Sequence, residues 1–142
     1  MSSAEENVRK ASRTFYDALN SMANGDAGPM AHIWSHSSSV TTMHPIGGRE
    51  VGWEQVEGPW QQVASMASGG KIVLSDQLLQ VSGDMAYEVG NEKGGFTLAG
   101  ETIAIDQRVT NVYRREGEDW KIVHHHTDLS PAMVDLLMRL AG

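Results

Sequence analysis

The segment Arg108–Asp128 constrains the fold more than any other part of this chain. Its sequence, RVTNVYRREGEDWKIVHHHTD, has the pattern of two β-strands joined by a tight, charged turn, and three consecutive histidines lie near the end of the second strand. Successive side chains of a strand point to opposite faces of a sheet. Whichever face covers the core, at least one of the three imidazoles is therefore expected to meet it.

The composition indicates one globular domain over residues 1–142, with enough apolar residues for a core. The absence of cysteine excludes disulfides, thiolate metal ligands and a cysteine nucleophile. A net charge of −7 without clustered basic residues argues against nucleic-acid binding. Because no apolar run has the length of a membrane span and no signal-peptide pattern opens the chain, we expect a soluble, cytoplasmic protein that does not bind membranes.

Helical periodicity and capping residues predict four helices. They lie at about 4–24, 29–33, 53–67 and 131–140. Ser2 and Ser3 both fit the N-cap of the first helix, and Ser130 fits that of the last. Pro59 lacks an N–H and is expected to kink the third helix or divide it in two.

Runs rich in β-branched and aromatic residues predict the strands. They lie at about 38–43, 71–81, 85–98, 101–115 and 120–128. The stretch His44–Gly48, HPIGG, is expected to be a loop. Helices segregated from consecutive strands are typical of the α+β class, with the helices packed on one face of a curved antiparallel sheet.

Two stretches resemble the SnoaL-like group of the nuclear-transport-factor-like cone fold. Val112–His126, VYRREGEDWKIVHHH, is similar to the group's Arg-rich strand end, Gly turn and Trp-x-Ile-Val-His-x-His pattern. Val40–Trp53, VTTMHPIGGREVGW, is similar to its short strand, Pro/Gly loop and Gly-Trp helix start. This superfamily includes ketosteroid isomerases and the association (hub) domain of calcium/calmodulin-dependent kinase. The resemblance implies a cone-shaped sheet around the long N-terminal helix, a ligand pocket between them, and a homodimer through the outer sheet face.

The hairpin offers two faces to such a pocket if Arg115 lies opposite Trp120. One carries Arg108, Thr110, Val112, Arg114, Lys121, Val123, His125 and Thr127, and the other carries Ile103, Ile105, Gln107, Val109, Asn111, Tyr113, Trp120, Ile122, His124, His126 and Asp128. Periodicity alone assigns the second, more apolar face to the core, whereas the resemblance places the first face in the pocket. We follow the resemblance, which makes the face with Tyr113 and Trp120 a dimer interface.

His125, Arg108 and His44 are the candidate catalytic residues of this pocket. A histidine near its usual pKa of about 6.5 can act as acid or base at neutral pH, and Arg108 could bind a carboxylate or an oxyanion. The alternative is a structural histidine and an arginine that is paired with Asp106 or Glu88. The other predicted ligand-binding residues are Tyr16, Trp34, Met43, Trp53, Trp60, Thr110 and Thr127.

His124, His126 and Asp128 share one predicted face and form a chemically sensible set for a divalent metal. Hydrogen bonds across the sheet, or a place at a dimer interface, are the favoured alternative. We therefore expect neither a metal nor a cofactor.

The resemblance to ketosteroid isomerases extends to Tyr16, since these enzymes place an oxyanion-binding tyrosine on their first helix. It stops there, because the matching positions at Val40–Met43 and at Thr110 supply no carboxylate. The kinase hub's basic pocket positions match Thr110 and Thr127, so its carboxylate site is not carried over either. The predicted function is binding of a small organic ligand in an enclosed hydrophobic pocket, with cofactor-independent isomerase, cyclase or hydrolase activity. The alternative is a non-catalytic ligand-binding or assembly module.

Overall fold

The computed structural model describes residues 3–141, which contain four helices and six strands. The helices are α1 (Ala4–Met22), α2 (Met30–Ile33), α3 (Trp53–Ala64) and α4 (Pro131–Ala141). The strands are β1 (Thr41–His44), β2 (Gly47–Val51), β3 (Ala67–Ser82), β4 (Met85–Leu98), β5 (Glu101–Glu116) and β6 (Asp119–Thr127). None of the helices within residues 3–141 combines the length and the apolar character that crossing a membrane requires.

The six strands form one curved sheet that remains open at its edges. Their order is β2-β1-β6-β5-β4-β3, and neighbouring strands are antiparallel except for β1 and β6, which run parallel. The long helix α1 packs against the inner face, and both contribute to one buried apolar cluster. The predicted α+β cone is therefore confirmed.

Local sequence explains where α1 begins and which side it buries. The Ser3 hydroxyl accepts a hydrogen bond from the Glu6 N–H at 3.1 Å, so Ser3 is the N-cap, whereas Ser2 lies outside the described residues. Val8 and Phe15 lie on the buried side of the helix. Burial of one such side chain contributes about 1.5–3 kcal/mol, so this apolar stripe holds α1 in the cone.

The segment after β1 differs from its prediction. His44–Gly48 was expected to be a loop, but only Pro45 and Ile46 form a turn, and Gly47 already pairs with His44 as the start of β2. Gly47 has a φ of +93°, a backbone conformation that glycine adopts without steric cost. The glycine therefore permits a tight reversal into a strand where the sequence indicated a loop.

Two further features bear on the prediction. α3 continues through Pro59 as a single helix, so the predicted division is wrong, whereas the predicted kink stays a prediction. β3 begins at Ala67 rather than Lys71, and its pairing with β4 is irregular between Ser68 and Lys71. A Cβ atom at Gly94 of β4 would lie 1.9 Å from the Lys71 carbonyl oxygen, so this close approach of the two strands requires glycine.

A β-bulge in β6 decides which side chains of the hairpin face the interior. Tyr113 pairs with Ile122, but the preceding residue Val112 pairs with His124, which leaves Val123 as an additional residue in β6. A bulge of this kind shifts the alternation of one strand relative to its partner. Before the bulge, the even-numbered residues of β6 therefore face the interior, and beyond it the odd-numbered residues do.

The predicted orientation is right for the histidine end of β6. Arg115 lies opposite Trp120, as predicted. Beyond the bulge, His125 and Thr127 are buried and His126 is exposed, which confirms that the three consecutive histidines are split between the faces.

The predicted orientation is wrong for β5 and for the first half of β6. Alternate residues of β5 from Ile103 to Tyr113 are buried, which places Arg108 and Thr110 on the outer face. Tyr113 and Trp120 belong to the core and cannot form a dimer interface. The periodicity of β5 identified the core face of this strand correctly. The resemblance to the hub domain assigned the opposite face to the interior, because the hairpin was treated as if β6 had no bulge.

Candidate functional site

A cavity of about 50 Å³ lies between the inner face of the sheet and the helices α1, α3 and α4. Its apolar wall is formed by Leu19, Met22, Pro45, Ile46, Pro59, Trp60, Val63, Ile72, Phe96, Ile105 and Met133. Its polar wall is formed by His44, Glu92, Gln107 and His125. The interior of the cone is thus a small, mostly apolar compartment with a few polar side chains.

The carboxyl group of Glu92 is the acidic member of this wall. Its Oε2 accepts a hydrogen bond from the Tyr16 hydroxyl at 2.9 Å, and its Oε1 accepts one from Nε2 of Gln107 at 2.9 Å. Burial raises the pKa of the Glu92 carboxyl, although both hydrogen bonds act in the opposite direction. Such a group can hold a proton at a pH where an exposed glutamate has lost it.

His125 lies at the end of a buried chain of hydrogen bonds. Its Nδ1 is 2.6 Å from Oδ1 of Asn111, and Nδ2 of Asn111 donates to Oε1 of Glu88 at 3.0 Å. Glu88 is fully buried and also accepts hydrogen bonds from the Tyr113 hydroxyl at 2.9 Å and from Nε2 of Gln77 at 2.5 Å. Burial lowers the pKa of His125 well below its usual value, so its imidazole is uncharged at neutral pH.

His44 and Trp60 face His125 across the cavity. The ring of His44 meets that of Trp60 edge-on, with centroids 4.7 Å apart, and lies 6.1 Å from the ring of His125. Burial lowers the pKa of His44 to about 4. Nε2 of His44 and Nε1 of Trp60 are buried without a hydrogen-bond partner among residues 3–141. Unpartnered polar atoms are costly in an interior, so these two atoms are available to a bound molecule.

The electrostatic character of the cavity follows from its lining. Within the described part of the chain, no lysine or arginine belongs to the wall, and both of its imidazoles are uncharged at neutral pH. A buried anion would therefore meet no opposite charge, and an unpaired buried charge is expensive. The cavity can offer uncharged donors and acceptors, and one carboxyl group that can hold or release a proton.

Several predicted site residues meet in this interior. His44, Trp60 and His125 line the cavity, and Tyr16 reaches it through its hydrogen bond to Glu92. The other predicted residues lie apart from the cavity wall.

Two of the predicted tryptophans form a neighbouring aromatic cluster. The ring centroid of Trp34 is 6.4 Å from that of Trp53 and 6.4 Å from that of Trp60. Thr127 is buried as well, and its hydroxyl has no hydrogen-bond partner within residues 3–141.

Five predicted site residues, Met43, His44, Arg108, Thr110 and Thr127, line a larger groove of about 810 Å³, and His44 belongs to the wall of the smaller cavity as well. Nε and Nη2 of Arg108 donate to the Asp128 carboxylate at 2.9 Å, and the Arg108 side chain is 82% exposed. These hydrogen bonds lower the pKa of Asp128 to about 2. Arg108 is therefore not a polar group of the interior, and its partner is neither Asp106 nor Glu88.

The histidines considered as metal ligands have separate surroundings. Nδ1 of His124 lies 2.6 Å from Oγ1 of Thr41 on the adjacent strand, and the His124 and His126 ring centroids are 5.9 Å apart. The Asp128 carboxylate is bound by Arg108. His124 thus makes the cross-strand hydrogen bond that was favoured over metal ligation.

The sequence analysis did not place Glu88 or Glu92 in the interior, and it found no carboxylate at the positions that match those of the ketosteroid isomerases. The alternation in β4 indicates where these two residues lie. Glu88 and Glu92 are an even number of positions away from the buried Ala86, Phe96 and Leu98, so they lie on the same, otherwise apolar face of the strand. Applying the two-residue period to β4 would have placed both carboxyl groups inside the cone.

The sequence matches the family described as the SnoaL-like domain over residues 8–133. The chain therefore belongs to this family. No curated protein matches the sequence.

Solved structures share the fold along most of their length. A candidate dehydratase of the NTF2-like family from Streptomyces avermitilis is 24% identical, with a TM-score of 0.77 over 88% of this chain and 94% of its own. A candidate calcium/calmodulin-dependent protein kinase type II association domain from Thiobacillus denitrificans is 26% identical, with a TM-score of 0.64 over 86% of this chain and 94% of its own. A candidate ketosteroid isomerase from Parabacteroides distasonis is 17% identical, with a TM-score of 0.66 over 92% and 91% of the two chains.

Proposed function

We propose that this protein is a cofactor-independent enzyme that moves a proton within a small, uncharged, mostly apolar organic molecule bound inside the cone. Isomerisation and loss of water are the reaction types that this chemistry serves best. The observation that carries the proposal is the convergence of a buried carboxyl group and two uncharged imidazoles on one apolar cavity. Groups with displaced pKa values in a shared cavity are typical of acid–base sites.

His125 is the proposed base. Its Nδ1 is engaged by Asn111, which leaves Nε2 as the free nitrogen of a ring that lines the cavity. An uncharged imidazole can accept a proton from a carbon next to a carbonyl group, and burial keeps it uncharged at neutral pH.

Glu92 is the proposed acid, assisted by Tyr16. When the carboxyl group is neutral, its proton belongs on Oε2, because the Gln107 amide N–H beside Oε1 can only donate, whereas the Tyr16 hydroxyl beside Oε2 can also accept. A neutral carboxyl group can donate to the oxygen of a carbonyl or leaving hydroxyl group as negative charge develops there, and the Tyr16 hydroxyl stabilises the carboxylate that forms.

The expected ligand is uncharged, because the described cavity wall carries no basic side chain. Its apolar part would pack against Trp60 and Phe96, and one oxygen would satisfy the unpartnered Nε2 of His44 or Nε1 of Trp60. Carboxylates and phosphates are excluded from this substrate class by the cost of burying an unpaired anion.

Entry of a ligand requires movement at one wall of the cavity, because about 50 Å³ accommodates little more than water. The Pro45–Ile46 turn and Met133 of α4 form this wall. The Ser130 N–H donates to the Pro45 carbonyl oxygen at 2.8 Å, so the turn and the start of α4 are joined and would move together.

The test is a solvent-exchange assay. Acetophenone and cyclohexanone are incubated in heavy water with the protein, and exchange of the hydrogens next to the carbonyl group is followed by NMR. The proposal expects exchange faster than in buffer, and a loss of about 100- to 10,000-fold in His125→Gln and Glu92→Gln. Arg108→Ala on the outer face is the control that retains full exchange.

The matched probe for charge is acetylbenzoate, which carries the same ketone with a carboxylate and is expected to show no accelerated exchange. Exchange at the buffer rate with every ketone, combined with no thermal stabilisation of the protein by any of them, would contradict the proposal. Exchange that survives in both interior variants would place the chemistry elsewhere.

Self-association is a second candidate function, favoured by the outer face of β3 and β4. Leu78, Met85 and Tyr87 are exposed there as large apolar side chains, with Leu78 66% exposed. We propose that this face forms a homodimer interface, because contiguous exposed apolar side chains on a sheet mark association sites. A dimer by sedimentation that Leu78→Lys dissociates would support this. Met138→Lys on α4, at a 70% exposed side chain, is the control. A wild-type monomer at micromolar concentration would contradict it.

A further inference from the structure

We infer that Asn111 is a positioning residue that fixes the tautomer of His125, with the proton on Nδ1 and the free lone pair on Nε2. Glu88, which does not line the cavity, acts one step further back by fixing the orientation of the Asn111 amide. The inference deepens the proposed function. The role of the His125 Nε2 lone pair as a base rests on that function, whereas the tautomer assignment does not.

The orientation of the Asn111 amide follows from Glu88. An amide nitrogen only donates and an amide oxygen only accepts, while the oxygen of a carboxylate accepts. Oε1 of Glu88 lies 3.0 Å from the amide of Asn111 and already accepts a hydrogen bond from the Tyr113 hydroxyl at 2.9 Å. The reversed amide would set two acceptors against each other, so Nδ2 faces Glu88 and Oδ1 faces His125.

The tautomer of His125 follows from Asn111. Oδ1 of Asn111 lies 2.6 Å from Nδ1 of His125, and two acceptors at this distance would repel. Nδ1 therefore carries the proton and donates it to the amide oxygen. Which ring nitrogen of a neutral histidine carries the proton is set by the hydrogen bond that the other one makes, so Nε2 is left unprotonated.

The chain is rigid because burial leaves its members no alternative partners. Glu88, Asn111 and Tyr113 are all fully buried. The second hydrogen of the Asn111 amide faces the Tyr16 hydroxyl at 3.1 Å, so this residue also joins the His125 branch to the Glu92 branch of the site. Buried networks with every member satisfied hold one geometry.

The experiment is long-range nitrogen–proton NMR of the unliganded protein labelled with ¹⁵N-histidine, at neutral pH, with the His125 signals assigned through His125→Gln. The expected result is a protonated Nδ1 and an unprotonated Nε2 in the wild type. A wild-type spectrum with the proton on Nε2, or with both nitrogens averaged, overturns the inference. This measurement needs neither a substrate nor a destabilised variant.

One variant of Asn111 and one control separate positioning from general stability. Asn111→Leu removes the acceptor at similar volume and is expected to give the Nε2-protonated or averaged form. Tyr113→Phe removes a different hydrogen bond to Glu88 and is expected to leave the His125 signals as in the wild type. Unchanged His125 signals in Asn111→Leu would overturn the inference, and so would the same change of signals in Tyr113→Phe as in Asn111→Leu.

The two proposals fail in different measurements. Correct nitrogen signals without ketone exchange would remove the proposed reaction and leave the tautomer assignment standing. Exchange that depends on His125, with the proton found on Nε2, would remove the tautomer assignment and leave the proposed reaction standing. If both hold, Asn111→Leu is expected to lower the exchange rate by about 100-fold or more at unchanged ketone affinity, because an incorrectly protonated base loses its contribution.

Discussion

His44 makes the stability of this protein dependent on pH in a way that can be worked out from its surroundings. Burial lowers its pKa from 6.5 to about 4 in the folded chain. Between these two values the unfolded chain binds a proton at His44 and the folded chain does not. The free energy of unfolding therefore falls as the pH is lowered from 6.5 towards 4, and no further loss arises from this residue below that range.

The size of this effect follows from the same two values. One pH unit corresponds to about 1.4 kcal/mol, so His44 alone removes about 3 kcal/mol of stability across the range. This is a large part of the roughly 5–15 kcal/mol by which proteins of this kind are stable. His125 adds to the loss in the same direction, because burial also lowers its pKa.

The perturbation that isolates the effect is His44→Leu, which cannot be protonated. Urea unfolding followed by tryptophan fluorescence at pH 7.5, 6, 5 and 4 gives the free energy of unfolding of each variant. We expect the variant to lose about 3 kcal/mol less than the wild type between the highest and the lowest pH. The comparison uses the change with pH, because the leucine also alters packing at every pH.

His32→Leu is the matched control, since the His32 side chain is exposed, and it should follow the wild-type curve. Parallel curves for the wild type and His44→Leu would refute the reasoning, because His44 would then be equally protonated in the folded and unfolded chains. The description of His44 as a buried, uncharged imidazole of the cavity wall would then be wrong.

Three further predictions concern the interior and the backbone that shapes it. Tyr16→Phe removes a hydrogen bond that lowers the pKa of Glu92, so the carboxyl band of protonated Glu92 in infrared spectra should persist to higher pH than in the wild type, and a shift to lower pH would contradict this. Trp60→Ala should lower the free energy of unfolding in urea by about 3–5 kcal/mol, and a loss below about 1 kcal/mol would show that Trp60 is not packed as described. Gly94→Ala should reduce the melting temperature strongly, because its Cβ would lie 1.9 Å from a carbonyl oxygen. A melting temperature equal to that of the wild type would contradict the described packing.

The elements of the fold could be predicted because local patterns specify them. The stripe from Val8 to Met22, the Ser3 and Ser130 caps and the period of β5 all act within a few residues along the chain. The start of β3 and the strand β2 could not be predicted in this way, since glycine signals a loop and a tight strand reversal equally.

The site was less predictable, because it depends on contacts between distant segments. The bulge at Val123 is specified by the pairing of β5 with β6, and it reverses which residues of β6 share a face with Asn111. Glu88 and Glu92 could have been found from the alternation of β4. Buried glutamates contradict the usual hydropathy of a core, however, and only their partners Asn111 and Tyr16 explain their place there.

The location of a bound ketone tests the central claim most directly. A crystal structure of the protein with acetophenone is expected to show its ring against Trp60 inside the cone, with the ketone oxygen within hydrogen-bonding distance of Glu92, His44 or Trp60 Nε1. Acetophenone bound only in the larger groove beside Arg108, with the interior cavity unchanged, would contradict the assignment of the cone interior as the functional site.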